Sequence, residues 1–299
     1  MCRLYLKEMA DYNYLSDRNK NHGGDAAYQG PCVGTHEGHR LWCNSADSTG
    51  LFFATVVWIS MLYALSTVAV VYATGQFDLT NFSVIVTLIF LALWSHLKTM
   101  MSDPGAVPSN AHPTAKDMSS GMTISMCGRC DGYKPPMSHH DRISNRCVSR
   151  MDHFCPWMNN AIGAKNQKDF FLFLIYTDAV SVYLYIDMAL HLIDYDGIGA
   201  TPFTGVGLYM VRALIFVLLF AILFTSSMIL NQWYGLATGL GTIDRMKLKA
   251  DDPEDGTPVP FSHVFGVWWP AWFLPLDPVF DDYEAVFSYS LKEEPYSKL

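Results

Sequence analysis

Hydrophobic residues are gathered into four long runs along the chain. The first, Leu51 to Ala73, and the second, Leu79 to Leu97, contain no charged residue. The third, Phe170 to Ile193, contains two aspartates, and the fourth, Gly205 to Leu230, contains one arginine. A helix needs about 20 largely apolar residues to cross a bilayer, and uncharged runs of this length are uncommon in soluble cores. The pattern therefore predicts four transmembrane helices in an all-α polytopic membrane protein.

The composition argues against two other classes of protein. Hydrophobic residues make up 51% of the chain and charged residues only 16%, whereas about 25% of the residues in soluble domains are charged. The net charge of -8 is the wrong sign for a nucleic-acid-binding protein that relies on bulk charge. We therefore expect the membrane, and not nucleic acid, among the partners of this chain.

Lysine and arginine residues are distributed unequally among the connections between the four runs. Segment 98–169 contains nine of them, whereas the short connections 74–78 and 194–204 contain none. Short loops rich in lysine and arginine stay on the cytosolic side of a membrane. The distribution predicts that segment 98–169 and both termini are cytosolic.

Three charged residues lie inside the predicted membrane helices, where a charge is costly and usually has a partner. Asp187 and Arg212 lie close to the non-cytosolic ends of the third and fourth helices. At a rise of 1.5 Å per residue they reach similar depths, so we expect them to form an ion pair, with two side chains that extend separately to the membrane surface as the alternative. For Asp178 the sequence identifies no partner.

A cluster of cysteine and histidine residues lies in segment 98–169. Cys127 and Cys130 form a Cys-x-x-Cys pair, and Cys147 follows at short range. With His139 or His140 as the fourth ligand, the cluster has the three thiolates and one imidazole that suit a structural zinc site. A redox-active Cys-x-x-Cys pair is the alternative, but such a pair does not require the additional ligands.

A second constellation follows the cluster directly. Asp152, His153 and Cys155 place an acid, a base and a thiol within four residues. A thiol is mostly protonated at neutral pH, so a nucleophilic cysteine needs a base to remove its proton and a third group to orient that base. The spacing suggests Cys155 as the nucleophile, His153 as the general base and Asp152 as the residue that orients His153.

The stretch from Cys127 to Phe170 resembles the cysteine-rich domain of the DHHC-type protein S-acyltransferases, or palmitoyltransferases. Outside this stretch the chain has Asp-Pro-Gly at 103–105, and it has Gly-Thr-Ile-Asp at 241–244 where the family has Thr-Thr-x-Glu. The sequence Val-Phe-Gly at 264–266 resembles a short apolar element of Golgi-type members. Within the stretch the matching residues are Lys134, Pro135, Ser138, His139, His140, Asn145, Arg146, Cys147, Met151, Asp152, His153, Cys155, Pro156, Trp157, Asn159, Asn160, Gly163, Asn166, Phe170 and Phe171.

The resemblance implies a chain of five segments with four membrane helices and a small zinc-binding domain between the second and third. We expect a cytosolic N-terminal tail over 1–49, transmembrane helices 1 and 2 over 50–97, a cytosolic cysteine-rich domain of the DHHC type over 98–169, transmembrane helices 3 and 4 over 170–230, and a cytosolic C-terminal region over 231–299. The last segment includes the tryptophan-rich sequence 268–273, which suits a membrane-interface element.

The resemblance also implies the activity. Family members transfer a long acyl group, usually palmitoyl, from acyl-CoA to cysteines of other proteins at the cytosolic face, and Cys155 would carry that group between two steps. Lys134, Arg146 and Arg150 are the candidate residues for the CoA phosphates. The alternative function is a catalytically weak or inactive relative that binds partner proteins through this domain.

Family members usually hold two zinc ions in the cysteine-rich domain. The residues that match the first site are Cys127, Cys130, His140 and Cys147. The positions of the second site are occupied here by Asp141, Ser144, Phe154 and Ala161, so the signature becomes Asp-His-Phe-Cys. We therefore expect one structural zinc ion per chain, with Phe154 and Ala161 packed in place of the second.

Two features bear on the location of the protein. The resemblance to Golgi-type members implies a multi-pass protein of the Golgi or another endomembrane, with its active site in the cytosol. The chain ends in Ser297-Lys298-Leu299, which reads as a peroxisomal signal. Because that signal directs soluble matrix proteins, we keep the peroxisome as the alternative.

Overall fold

The computed structural model describes residues 42–45, 47–75, 77–121, 123–198, 206–248 and 256–291, apart from the side chains of 191–198 and 206. The C-terminal Ser-Lys-Leu sequence and residues 1–41 of the expected N-terminal tail lie outside the described residues.

Long helices form where the sequence predicts membrane spans. Four helices are long and apolar enough to cross a membrane, over Ser48–Ala73, Leu79–Met101, Gln167–Leu190 and Gly207–Thr238. The described helices are, in chain order, α1 (Ser48–Ala73), α2 (Leu79–Met101), α3 (Ala115–Ser119), α4 (Gln167–Ile198), α5 (Val206–Thr238), α6 (Thr242–Lys247), α7 (Ser262–Phe265) and α8 (Tyr283–Phe287). The predicted four-span architecture is confirmed.

The fourth membrane helix is longer than predicted. The sequence analysis ended it at Leu230, whereas α5 continues to Thr238. Among the additional residues, Leu236 packs with Phe171, Val264 and Phe265, and Gln232 is buried and hydrogen bonded to Asp152. This extension carries Gln232 to the candidate active site.

The four membrane helices pack around a common apolar core. Val68, Ile85, Leu184 and Leu214, one from each helix, are fully buried in it. The opposite faces expose large apolar side chains such as Phe216, which is 75% exposed. An exposed apolar face of this size suits contact with lipid. The arrangement therefore fits a bundle that is solvated by a bilayer.

The predicted Asp187–Arg212 ion pair is wrong. The ion pairs found among the described residues do not include it, and the Arg212 side chain is exposed. Val211 and Leu214 turn their side chains into the core, so the residue between them points away from it. Two residues at the same depth in the membrane can lie on helix faces that do not meet.

The structure supplies the partner that the sequence did not identify for Asp178. Its Oδ1 atom accepts hydrogen bonds from Thr225 Oγ1 at 2.7 Å and from Ser226 Oγ at 2.9 Å. Both hydroxyl groups belong to α5, so the intramembrane carboxylate links α4 to α5. Short polar links of this kind hold helices together where lipid provides no hydrophobic driving force.

Short antiparallel hairpins make up most of the cysteine-rich domain. The strands are β1 (Ala111–His112), β2 (Met126–Cys127), β3 (Gly132–Tyr133), β4 (His139–Asp141), β5 (Arg146–Val148), β6 (His153–Cys155), β7 (Asn160–Ile162) and β8 (Ser290–Leu291). They pair as β1–β8, β2–β3, β4–β5 and β6–β7. Turn residues Asp131, Asn145 and Asn159 have positive φ values near 50°, a conformation that Asp and Asn tolerate better than most residues.

Asparagine side chains attach the cysteine-rich domain to the helices. Asn160 Nδ2 donates to the carbonyl oxygens of Thr99 at 2.9 Å and Ser102 at 2.8 Å, at the end of α2. Asn159 Nδ2 donates to the Asn44 carbonyl oxygen at 2.6 Å, just before α1. Because these amides are buried and satisfied, they fix the domain over one end of the bundle.

Gly163 allows a close approach between three segments of the domain. A Cβ atom at this position would lie 2.5 Å from the Pro104 carbonyl oxygen and 2.5 Å from Val148 Cγ1. We expect Gly163→Ala to lower the free energy of unfolding by about 1–3 kcal/mol, as overpacking does. Thermal unfolding of the purified protein measures the change. Gly132→Ala is the control, because its Cβ atom would meet only the Cys130 carbonyl oxygen at 3.8 Å. Equal stability of the two variants would contradict this interpretation.

Candidate active site and metal centre

The hairpins β2–β3 and β4–β5 bring four metal-binding side chains together. The Nδ1 atom of His140 lies 3.6, 3.3 and 3.9 Å from the sulfur atoms of Cys127, Cys130 and Cys147, respectively. The Cys130 and Cys147 sulfur atoms are 3.7 Å apart. Bonds of about 2.0–2.3 Å to a tetrahedral zinc ion separate its ligands by about 3.5–3.8 Å. The residues therefore fit one zinc ion, which would brace the two hairpins.

The structure separates the two candidate histidines. His140 points its Nδ1 atom into the sulfur cluster, whereas His139 turns away from it. His139 Nε2 lies 2.7 Å from Asp244 Oδ1, and Lys247 Nζ lies 3.0 Å from His139 Nδ1. His139 therefore connects β4 to α6, and the choice of His140 as the ligand agrees with the geometry.

Other interactions occupy the positions of a second family zinc site. Asp141 Oδ2 accepts a hydrogen bond from the Ser144 backbone N–H at 2.8 Å, which closes the β4–β5 turn. Phe154 and Ala161 are directly paired across β6 and β7, and both pack in a cluster with Val148. Among the described residues, the sulfur cluster above is the one group whose ligand atoms fit a metal ion.

Asp152 is the most heavily hydrogen-bonded carboxylate of the candidate active site. Its Oδ2 atom lies 2.7 Å from His153 Nδ1 and accepts a hydrogen bond from Gln232 Nε2 at 2.7 Å. Its Oδ1 atom accepts a hydrogen bond from the Thr242 backbone N–H at 2.6 Å. The carboxylate is thereby held by β6, α5 and α6 together.

The hydrogen bonds of this pair shift both pKa values. Burial alone would raise the pKa of Asp152, but the bonds from His153, Thr242 and Gln232 outweigh it, so this pKa lies well below its usual range. Burial alone would lower the pKa of His153, but contacts with Asp152 and Cys155 outweigh it and raise this pKa to about 10. At neutral pH the site therefore favours a charged imidazolium beside a carboxylate.

Cys155 lies on the same face of β6 as His153, because residues two apart in a strand point the same way. The Cys155 side chain is one of the neighbours that raise the pKa of His153. Cys155 is only 4% exposed and packs with Met61, Phe173 and other residues of the membrane helices. The thiol is thus located where the cysteine-rich domain meets the bundle.

An apolar cavity of about 380 Å³ is formed by the membrane helices, and residues that pack in one cluster with Cys155 form part of its wall. Trp157, two residues after Cys155, forms part of its wall, together with Met61 and Phe173 from the packing cluster of Cys155. Phe216 and Phe220 of α5 also line it. Its size and apolar lining suit a hydrocarbon chain.

The three candidate phosphate-binding residues are in different environments. Arg146 donates to the Val107 carbonyl oxygen at 3.0 Å, so its guanidinium is used within the domain. Lys134 lines a groove with His139. Arg150 lines a pocket of about 200 Å³ that also contains Asp152, and the described ion pairs give it no carboxylate partner. The structure does not bring the three together.

Sequence reasoning missed Gln232 as a member of the site. The residue lies beyond the apolar run that marked the fourth span, and a single glutamine carries no signal of its own. Thr242 was part of the Gly-Thr-Ile-Asp sequence, but that sequence did not reveal that its backbone would bind Asp152.

The fold and site together define a multi-pass membrane protein with a thiol, imidazole and carboxylate site at one end of its helical bundle. The family model described as DHHC palmitoyltransferase matches residues 121–249. The chain is 32% identical over 267 residues to human palmitoyltransferase ZDHHC3, covering 84% of this chain and 87% of that protein. It is 32% identical over 248 residues to the rat ZDHHC3 protein, covering 77% and 83%.

The similarity is higher over a shorter region of other relatives. Mouse palmitoyltransferase ZDHHC7 is 37% identical over 164 residues, which is 52% of this chain and 53% of that protein. The chain therefore belongs to the DHHC palmitoyltransferase family, and the resemblance stated from its motifs is confirmed.

The metal centre predicts a definite metal content. We expect purified protein to contain about one zinc ion per chain, because only one complete set of ligands is present among the described residues. Cys127→Ser should remove the zinc ion and lower the unfolding temperature, because loss of a structural metal destabilises a small domain. Cys155→Ser is the matched control and should keep one zinc ion. Elemental analysis by mass spectrometry measures the content, and two ions or none in folded wild-type protein would overturn the assignment.

Proposed function

We propose that this protein is a protein-cysteine S-palmitoyltransferase that moves a long acyl group from acyl-CoA to protein cysteines through an acyl-Cys155 intermediate. The observation that carries the proposal is the 2.7 Å contact between Asp152 and His153, with Cys155 two residues further along the same strand and in one packing cluster with residues that line an apolar cavity. The relatives named as palmitoyltransferases support the same activity.

In the first step the Cys155 sulfur attacks the thioester carbonyl carbon of acyl-CoA. His153 holds the proton of the thiol, and the raised pKa of the imidazole favours that position of the proton. A new carbon–sulfur bond forms as the bond to the CoA sulfur breaks. CoA leaves with the proton from His153, and Asp152 stabilises the imidazolium throughout the step.

In the second step the thiol of a protein substrate attacks the acyl-Cys155 thioester. His153 accepts the proton of the incoming thiol, and the acyl group moves to the substrate sulfur. The Cys155 thiolate leaves beside the imidazolium, which regenerates the starting state. Because the acyl group rests on the enzyme between two substrates, the kinetics are of the ping-pong type.

The hydrocarbon chain and the CoA phosphates of the acyl donor bind in different environments. The hydrocarbon chain enters the cavity lined by Trp157 and Phe173, where its burial contributes about 0.8 kcal/mol per methylene. The CoA phosphates remain in water at the cytosolic face. Of the three candidates, Arg150 is the one whose pocket also contains Asp152, and its guanidinium is held there by the His263 carbonyl oxygen and the Gln167 side chain.

The absence of a second family zinc site does not favour the non-catalytic alternative. The Asp141 turn and the Phe154–Ala161 pair brace the hairpins, and Asp152 is held from α5 and α6. These contacts give support for the nucleophile that does not depend on a second metal. We place the protein in the Golgi or another endomembrane, with the site facing the cytosol.

The intermediate is directly testable. After incubation with a palmitoyl-CoA analogue that carries an alkyne, the wild-type protein should carry acyl label that hydroxylamine removes, because hydroxylamine cleaves thioesters. Cys155→Ser should carry none. Cys43→Ser is the control and should label like wild type, because this buried cysteine lies before α1. Persistent label on Cys155→Ser, or none on folded wild-type protein, would show that the mechanism is wrong.

Removing the negative charge of Asp152 should change both rate and pH dependence. Asp152→Asn is expected to slow Cys155 acylation by roughly 10²–10⁴-fold, as in other triads. Among the neighbours that raise the pKa of His153, Asp152 contributes most, so this pKa falls in the variant and the imidazole loses its proton at a lower pH.

The loss of the Asp152 charge should also change how the acylation rate varies with pH. Wild-type acylation should vary little between about pH 6 and pH 9, because His153 keeps its proton up to a pKa of about 10. Acylation of Asp152→Asn should rise over the same range. Asp117→Asn is the control, since Asp117 caps the short helix α3. Parallel pH profiles for wild type and Asp152→Asn would contradict the role of the carboxylate.

A further inference from the structure

His96 of α2 is a polar residue inside the helical bundle that the mechanism above does not use. Its side chain is fully buried, with 0% exposure. Ionisable residues within membrane spans are rare and usually have a function, since their burial is costly. The ring packs edge-on against Phe173, with 5.3 Å between the ring centroids.

Both nitrogen atoms of the His96 ring are hydrogen bonded. Trp58 Nε1 of α1 lies 3.1 Å from His96 Nδ1, and His96 Nε2 lies 2.9 Å from the carbonyl oxygen of Trp157. An indole N–H only donates and a carbonyl oxygen only accepts. The partners therefore require a neutral imidazole that accepts at Nδ1 and donates from Nε2.

The carbonyl bound by His96 belongs to the turn that follows the nucleophile. In this turn the Met158 backbone N–H donates to the Cys155 carbonyl oxygen at 3.1 Å, and the Asn159 N–H donates to that of Pro156 at 3.1 Å. The Trp157 ring extends from the same turn into the cavity wall. One hydrogen bond thus connects the membrane helices to the backbone that carries both Cys155 and Trp157.

We propose that His96 is a positioning residue for acyl transfer, because its Nε2–H group fixes the Trp157 carbonyl and so holds the turn that joins Cys155 to Trp157 of the cavity wall. This role rests on the proposed function of Cys155. Trp58 of α1 orients the imidazole. The His96 ring therefore links α1, α2 and the turn that contains Trp157. A shift of about 1 Å in a reacting group can cost on the order of a hundredfold in rate.

Two substitutions separate the two hydrogen bonds. The amide of glutamine reaches about as far from the backbone as Nε2, so His96→Gln can still donate to the Trp157 carbonyl. The amide of asparagine reaches only about as far as Nδ1, so His96→Asn loses that bond. We expect His96→Asn to lower kcat for Cys155 acylation by palmitoyl-CoA about 10- to 100-fold with little change in KM, and His96→Gln to remain within about threefold of wild type.

A second readout does not depend on activity. Hydrogen–deuterium exchange in residues 155–160 should be faster in His96→Asn than in wild type or His96→Gln, because the Trp157 carbonyl loses its hydrogen bond from α2. Zinc content should remain unchanged in both variants, since His96 is not among the metal-binding residues. Trp58→Phe keeps the aromatic shape but removes the donor to Nδ1, so it should show a smaller loss of kcat. His112→Asn, in β1, is the control for the general effect of replacing a histidine with asparagine.

The outcomes distinguish this inference from the proposed function. If His96→Asn and His96→Gln have equal kcat and equal exchange in residues 155–160, His96 does not position the turn, whatever the activity of Cys155. If wild-type protein forms no acyl-Cys155, the proposed function fails, while the exchange experiment still decides whether His96 holds the turn. An equal loss of unfolding temperature and zinc in both variants would also overturn the inference, because it would indicate a general structural role.

Discussion

The arrangement of the active site depends on one buried carboxylate. Asp152 accepts hydrogen bonds from His153, Gln232 and the Thr242 backbone N–H, and thus from three separate elements of the fold. A buried charge must be compensated by partners with good geometry, since leaving it unpaired is strongly destabilising. The requirement to satisfy this carboxylate therefore fixes the end of α5 and the start of α6 against β6, and the same contacts orient the imidazole.

The site also shows how a small domain can be held together with fewer metal ligands than its family usually has. Where the family has a second zinc site, this chain has a capped turn at Asp141 and an apolar pair, Phe154 and Ala161. Phe154 directly precedes the nucleophile, so its packing against Val148 and Ala161 bears on the position of Cys155. None of these four positions holds a thiol, and burial of apolar area at Phe154 and Ala161 contributes stabilisation to the hairpins.

The sequence predicted the parts of this structure that depend on composition and local spacing. The four spans followed from long apolar runs, and the three thiolate ligands followed from Cys127, Cys130 and Cys147 at short range, whereas the choice of His140 over His139 came from the family resemblance. What it could not predict depends on which face of a helix a residue occupies. Arg212 was expected to meet Asp187 but lies between two core residues and points outwards. Gln232 reaches Asp152 across 80 residues of chain, and no local pattern marks such a contact.

Burial of the nucleophile bears on the fate of the acyl intermediate. A thioester in contact with bulk water can lose its acyl group to hydrolysis, and closed active sites suppress such side reactions by excluding water. Cys155 is only 4% exposed, and Met61, Phe173 and Ile162 cover it with apolar surface. The same cluster includes Met61 and Phe173, which line the cavity proposed for the hydrocarbon chain. Protection of the proposed thioester and access to the membrane would therefore be two consequences of one location, at the junction of the cysteine-rich domain and the bundle.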